Sequence, residues 1–401
     1  MNRITALLVA LAVGAMSMLP AQAQSLADAL EQAWARHPLA AASAAREVEA
    51  QARSEVATSL TPGPASLSLS SLNDQLNANR GKQEWEVEMA IPLWLPGQRA
   101  ARQAEAAAAH NELDARQRAL RLQLAGEVRD AWWAIAAARN AVELATRRVA
   151  TARDLEVDVM RRFKVGELAR VDANLAQNEQ LAAQAELADA HTVLLQAEQA
   201  YRGLTGVAVP VVLLAETRVT TQESREDHPQ LAAATSAVQL AQARLKVAEE
   251  TRRDAPTLAV RMVRGRADAI EPYANTVGVK LTLPFASGAR VRLGNSAARA
   301  ELAQADAELA LVQLRLQLDT ERARRELETA QRQLALAQQR RALTADNLRL
   351  AEKSFSLGES DLSSLLRVRA TAFDAQAFLS RQQVILAVSQ SRINQIMGVL
   401  P

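Results

Sequence analysis

Residues 124–159 read LAGEVRDAWWAIAAARNAVELATRRVATARDLEVDV. Small or apolar residues recur there at alternating steps of four and three: Leu124, Val128, Ala131, Ile135, Ala138, Val142, Ala145, Val149, Ala152 and Val159, with Glu156 out of pattern. A stripe of this period is one face of a helix packed lengthwise on another helix. A shift of 192 residues reaches Leu316, Thr320, Ala323, Leu327, Ala330, Leu334, Ala337, Arg341, Thr344 and Ala351, the same register with polar lapses. The chain therefore reads as a duplication.

Punctuation outside the stripe repeats at the same offset. Pro92 and Pro284, Phe163 and Phe355, Gly166 and Gly358, and Gly206 and Gly398 are all 192 apart. A constant offset over such a span means equivalent elements in the two halves. The predicted organisation is a first repeat over 24–206, a linker over 207–227 and a second repeat over 228–401. Each repeat opens with a helix (about 25–59, interrupted at His37 and Pro38, and 228–253). Each then shows a change of period. Ser66, Leu67, Ser68, Leu69 and Ser70 alternate, and after a polar turn Glu84, Glu86 and Glu88 face one way and Trp85, Val87, Met89 and Ile91 the other. In the second repeat one strand spans 257–264, and Tyr273 to Leu283 alternate most clearly of all. A long helix follows each hairpin, from near Gln98 to Arg162 and from Gly288 to the break at Gly358, and a helix returns from Leu168 to Arg202 and again to Gly398. The return helix of the first repeat and the entering helix of the second together approach the length of the unbroken long helix, so a column of stacked short helices is expected beside it. The apolar run at 209–214 has no period that places it.

The amino terminus bears on location. Arg3 precedes an apolar run from Ile4 to Leu19, and Ala21-Gln22-Ala23 offers small residues where a signal peptidase reads. Residues 1–23 are predicted to be a cleaved signal peptide. No other stretch is apolar for the roughly 20 residues a membrane helix needs, so any crossing of a membrane must use strands. The chain's 47 Lys and Arg against 45 Asp and Glu give no support for nucleic-acid binding, and the charges interleave as on solvated helix faces. The absence of cysteine excludes disulfides, thiolate metal sites and cysteine catalysis. The four histidines, at 37, 110, 191 and 228, have no ligand spacing and read as capping or surface residues. No phosphate-binding loop, nucleophile elbow or dinucleotide fingerprint occurs. The carboxylates lie on heptad faces with no sign of a dry pocket to pair them. No enzyme, cofactor or metal site is expected.

Four alternating strands match the pattern of a transmembrane β-barrel, yet four cannot close one, and an open edge in lipid leaves backbone groups unpaired. Other copies must complete the barrel, and three chains would give twelve strands. Trp85, Trp94 and Phe285 fall at strand ends, where interfacial aromatics belong.

A signal segment followed by two homologous halves, each with helix, strand hairpin and long helical hairpin, resembles the TolC family of outer-membrane efflux proteins over essentially the whole mature chain. The most specific marks are the helical-hairpin tips, Phe163-Lys164-Val165-Gly166-Glu167 and Phe355-Ser356-Leu357-Gly358-Glu359, and the junctions IPLWLPGQRAAR from Ile91 and LPFASGARVR from Leu283. These junctions are similar to the branch paired with heavy-metal resistance pumps of the RND type. The resemblance implies a mainly α fold with a small β part, assembled as a homotrimer: a twelve-stranded barrel in outer-membrane lipid, continuous with a periplasmic α-barrel. It implies a passive exit duct in the Gram-negative outer membrane, serving an inner-membrane pump and a periplasmic adaptor. It places Phe163, Gly166, Glu167, Phe355, Gly358 and Glu359 at the adaptor-docking entrance. Arg161, Arg162, Asp172, Asp361 and Arg367 are candidate entrance charges. Acidic residues on the return helices narrow the entrance in the family, but where the first repeat has Asp172 the second has Ser364, which puts a ring of six carboxylates in doubt. Substrates open at this point are metal cations, organic drugs and, in a type I secretion duct, polypeptides. Other readings of the residues are a periplasmic adaptor, which would show one hairpin rather than two, and an envelope coiled coil, which leaves the strands unexplained.

Overall fold

The computed structural model describes residues 25–76, 79–217, 228–285 and 288–401. The expected signal peptide and residues 218–227 of the linker lie outside the described residues. The order is α1 (Leu26–Arg36), α2 (Pro38–Thr58), β1 (Ser66–Asn73), β2 (Gln83–Pro92), α3 (Gln98–Lys164), α4 (Arg170–Thr205), α5 (Pro229–Glu250), β3 (Thr257–Arg266), β4 (Ala274–Thr282), α6 (Gly288–Ser356) and α7 (Leu362–Ile396). From α2 onward the first repeat carries the same succession of elements as the second, and α1 is additional to it. The break between α1 and α2 is local chemistry. His37 precedes Pro38, whose ring drives it out of the helical region to φ −68°, ψ 126°.

The chain forms two compact units, and neither is a repeat. One comprises the first helix with Arg121–Glu223 and Leu318–Pro401; the other comprises Pro38–Leu120 and Ser224–Gln317. Each repeat contributes to both.

In the first unit, every stripe position of α3 from Leu124 to Val159 is buried or half-buried. Leu124, Val128 and Ile135 join Trp132, Trp133, Tyr201 and the apolar face of α1 in one core. On α6 the lapse at Arg341 is real: its side chain is exposed and its Nε donates to Gln376 at 3.1 Å. The segment after Gly206, which has no sequence period, is placed by side chains from other elements. Val207, Val209 and Leu213 pack on the same core. Arg139 donates to the carbonyls of Pro210 and Val211, and the Trp132 indole donates to that of Leu214. These donors supply what a helix or sheet ladder would otherwise give its backbone.

In the second unit the strands form one antiparallel sheet in the order β1-β2-β3-β4, which leaves β1 and β4 as edges. Leu67 pairs with Met89, Met89 with Val260, and Val260 with Val279; Leu69, Val87, Met262 and Val277 form the next row. Register and alternation thus gather all the large apolar strand residues but Leu72 and Val263 on one face. Tyr273 and Leu283, expected inside the last strand, flank it.

Candidate functional site

Each helical-hairpin tip is built by one glycine. Gly166 and Gly358 take φ of +83° and +76°, the left-handed region where a side chain is strained. At the first tip the Gly166 N–H donates to Phe163 O and the Glu167 N–H to Arg162 O; at the second, Gly358 donates to Phe355 O and Glu359 to Ser354 O. Both are the paired backbone bonds that close a helix on a left-handed residue. This turn uses up Glu167 and Leu168, so α4 begins at Arg170, two residues later than the sequence predicts.

Below the turns, the two tips share one apolar cluster. Leu155, Val159, Ala173 and Ala176 of the first hairpin pack with Phe355, Leu362 and Leu365 of the second, and Phe163 and Leu168 lie against them. The equivalent phenylalanines differ: Phe355 is buried and Phe163 half-buried. Outside the cluster, Val165, Gly166, Glu167, Leu357, Gly358 and Glu359 are exposed. Replacing Phe355 by alanine should cost about 3–5 kcal/mol locally, read as faster amide hydrogen exchange in the last turns of α6 and first turns of α7. Phe163→Ala should cost less, and equal effects would contradict the asymmetry.

The predicted entrance charges separate into distinct roles. Arg162 pairs with Glu167 at 3.2 Å and lies 5.0 Å over the Phe355 ring, so it ties one tip to the other. Arg161 meets Asp158 at 3.5 Å on an exposed surface, a pair worth little in water. Asp172 accepts from the Ala169 N–H at the start of α4. Asp361 caps α7 by accepting from the Ser364 N–H at 2.8 Å, and hydrogen bonds from the Ser364 side chain and then its N–H hold its carboxyl below the ordinary value. The difference between Asp172 and Ser364 now has a physical reason. The first repeat carries its carboxylate at the third position of the helix and the second at the cap, and either serves the positive helix start. Arg367 is exposed.

Further from the turns, residues not singled out in sequence connect the helices. Arg148 donates to Glu179 and Glu186 and lies 5.1 Å over Phe373. Arg369 donates to Glu352 at 2.8 Å and, across the two hairpins, to the Thr151 carbonyl at 3.3 Å. These pairs border a cleft of about 260 Å³ whose apolar wall includes Leu155, Leu348 and Leu366. Arg148 stands beside the stripe as charges do on helix faces everywhere, and Arg369 lies outside it.

One buried ion pair was not singled out in sequence. Arg129 on α3 and Glu216 after α4 are 3% and 11% exposed and meet at 2.6 Å. Arg129 also donates to Gln395 and to the Val399 carbonyl; Glu216 accepts from Ser391, and Asn394 donates to the Thr217 carbonyl. Burial pushes the Glu216 carboxyl up, but the hydrogen bonds from Arg129 and Ser391 and the Arg129 charge outweigh it and hold it below its ordinary 4.5. The network carries no reactive geometry. It fastens the inter-repeat segment to both repeats.

The sheet presents the second candidate surface. Its apolar face is open: Trp85, Val87, Met89, Val260, Met262, Val277 and Val279 are all exposed. The opposite face is polar, with Glu88 beside Lys280 at 3.4 Å and Glu86 beside Arg261 at 3.8 Å. No helix among the described residues is long and apolar enough to cross a membrane. Among them, too, no group of three His, Asp or Glu side chains is placed to hold a metal ion.

The family model described as outer membrane efflux protein matches residues 19–207 and 220–399. The cobalt-zinc-cadmium resistance protein CzcC of Cupriavidus metallidurans is 28% identical over 228 residues, 54% of this chain and 54% of that protein. The match thus spans about half the length of that relative. The fold is similar to that of VceC, an outer membrane protein of Vibrio cholerae (TM-score 0.77, 15% identity, 93% of this chain and 96% of that one). It is also similar to the CmeC outer membrane channel of Campylobacter jejuni (TM-score 0.75, 14% identity, 93% and 85%).

Proposed function

The chain belongs to the outer membrane efflux protein family, and from that premise we propose that three copies close a twelve-stranded barrel and act as the passive exit duct of a tripartite efflux system. The observation that carries the reading is the sheet: four strands, two unpaired edges and one continuous apolar face open to the surroundings. A sheet of this kind is satisfied in lipid only when its edges are closed. The polar face then lines the lumen. A periplasmic adaptor docks on the exposed tip residues around Gly166 and Gly358, while Phe163 and Phe355 keep the tips in shape beneath them. An inner-membrane pump of the RND type supplies the energy. Leu336, Leu343 and Leu350 form an exposed row every seven residues on α6, and this row supports helix packing between subunits.

The duplication predicts the subunit seam. Met89 of β2 opposes Val260 of β3. The counterpart of Met89 in the other repeat is Leu281. The counterpart of Val260 is Leu69, because these two oppose Val279 and Val87, which are themselves equivalent. If the seam between chains repeats the seam within one, Leu281 lies opposite Leu69 of the partner subunit. With no native cysteine, Leu69→Cys/Leu281→Cys treated with a short thiol cross-linker should run as a covalent trimer after boiling, and each single variant as a monomer. A covalent dimer, or no product beside stable bilayer conductance, would overturn the closure.

Metal cations are the proposed substrates, supported by the likeness to CzcC. Deletion of the gene should raise sensitivity to cobalt, zinc or cadmium. Unchanged metal tolerance with increased sensitivity to dyes or detergents would favour organic substrates.

A further inference from the structure

On the outward face of the sheet the side chains of β1 to β4 are uncharged except at two positions, Arg264 and Arg266. Both are cations, both lie on β3, and both stand at the end of the sheet away from the strand-to-helix connections. Their guanidinium groups lie 5.2 and 5.0 Å from the centroid of the Tyr273 ring. The Arg266 Nε donates to the Gly81 carbonyl at 3.1 Å. Among the described residues neither guanidinium pairs with a carboxylate. Asp74 and Asp268, in the adjoining turns, instead accept backbone N–H groups of Arg80, Gly81 and Ile270. Trp85 occupies the same row as Arg264, as its Cα partner on β2.

We infer that Arg264, Arg266 and Tyr273 form a binding site for the phosphate of a lipid headgroup, at the outer boundary of the apolar band. The inference rests on the barrel reading above, which makes this face the lipid-facing one. A cation there is costly at the bilayer midplane and cheap at its edge, and the edge is where anionic oxygens and interfacial aromatics reside. Contact with the Tyr273 ring holds both guanidinium groups in place. It leaves the N–H edges to donate in pairs to a phosphate, the geometry that arginine supplies and lysine does not.

The test uses the full-length protein in neutral detergent, mixed with a diphosphorylated glycolipid (lipid A) or with the same lipid dephosphorylated, and bound lipid counted by native mass spectrometry. The phosphorylated lipid should be retained at least about tenfold more tightly, and Arg264→Gln/Arg266→Gln should remove that advantage. Millimolar inorganic phosphate should not displace it. Equal retention of the two lipids, an unaffected double variant, or displacement by inorganic phosphate would each overturn the site. Heat-resistant trimer on unboiled gels is scored in parallel. A wild-type protein that forms no trimer fails the barrel reading itself, whereas a trimer without phosphate preference fails only this inference. Should the double variant not assemble, the two lipids on the unmodified protein decide the matter.

Discussion

Arg129→Met should destabilise the helical unit by about 3–5 kcal/mol, the cost of leaving a buried charge without its partner. Arg129 is 3% exposed, and its loss strands Glu216 together with the Gln395 side chain and the Val399 carbonyl. The variant is best read as a fall in the thermal midpoint of the helix signal, with urea midpoints as a second measure. Arg129→Met/Glu216→Gln should recover much of the loss, because the uncompensated charge then disappears. A single variant with wild-type stability would show that the pair is solvated. The same pair sets a pH dependence. The carboxyl of Glu216 is lowered in the folded protein, so the unfolded chain takes up its proton first as pH falls. Its contribution is whole above the ordinary value of 4.5 and erodes as pH drops through the lowered value. Glu216→Gln should flatten stability below pH 4.5 relative to wild type.

Val260→Arg should abolish insertion. Val260 sits in the apolar row with Met89 and Val279, well inside the band that Trp85 and Tyr273 bound on one side. A cation at such depth costs about 2–4 kcal/mol, and a trimer bears it three times. Outer-membrane recovery and heat-resistant trimer should both be lost. Thr276→Arg, one strand position from Val277 but on the polar face, is the control. It should insert normally and change ion selectivity, since lumen positions tune permeation rather than stability. Equal tolerance of the two would mean that the faces are assigned the wrong way round or that the sheet never enters lipid.

What could be read from the sequence follows from the range of the forces involved. The stripe from Leu124 to Val159 and the alternation of Val87, Met89, Val260 and Val279 are local periodicities, and each had only to match one repeat distance. The tips were legible because a left-handed turn leaves glycine almost alone. Alternation continues through Tyr273 and extends the expected strand past its end, yet its ring meets two arginines of the neighbouring strand. The segment from Val207 to Thr217 has no period at all. Its carbonyls are satisfied by Arg139, Trp132 and Asn394, from 70 or more residues away. Arg129 stood among Glu127 and Asp130 and read as one more solvated charge. Only the fold distinguishes it from them.

The sheet's two unpaired edges carry an evolutionary corollary. An ancestral chain of one repeat would have brought two strands and one helical hairpin, and six such chains would have closed the same ring with true sixfold symmetry. Fusing two of them reduces the copies to three and frees alternate positions to diverge. In the proposed trimer a feature of the ring would then be present in six copies, as the tip glycines would be, or alternate by threes. The carboxylate of Asp172 would alternate with the hydroxyl of Ser364, and the half-buried Phe163 with the buried Phe355. A trimer of fused repeats would thus carry two kinds of wall, which six identical chains could not have built.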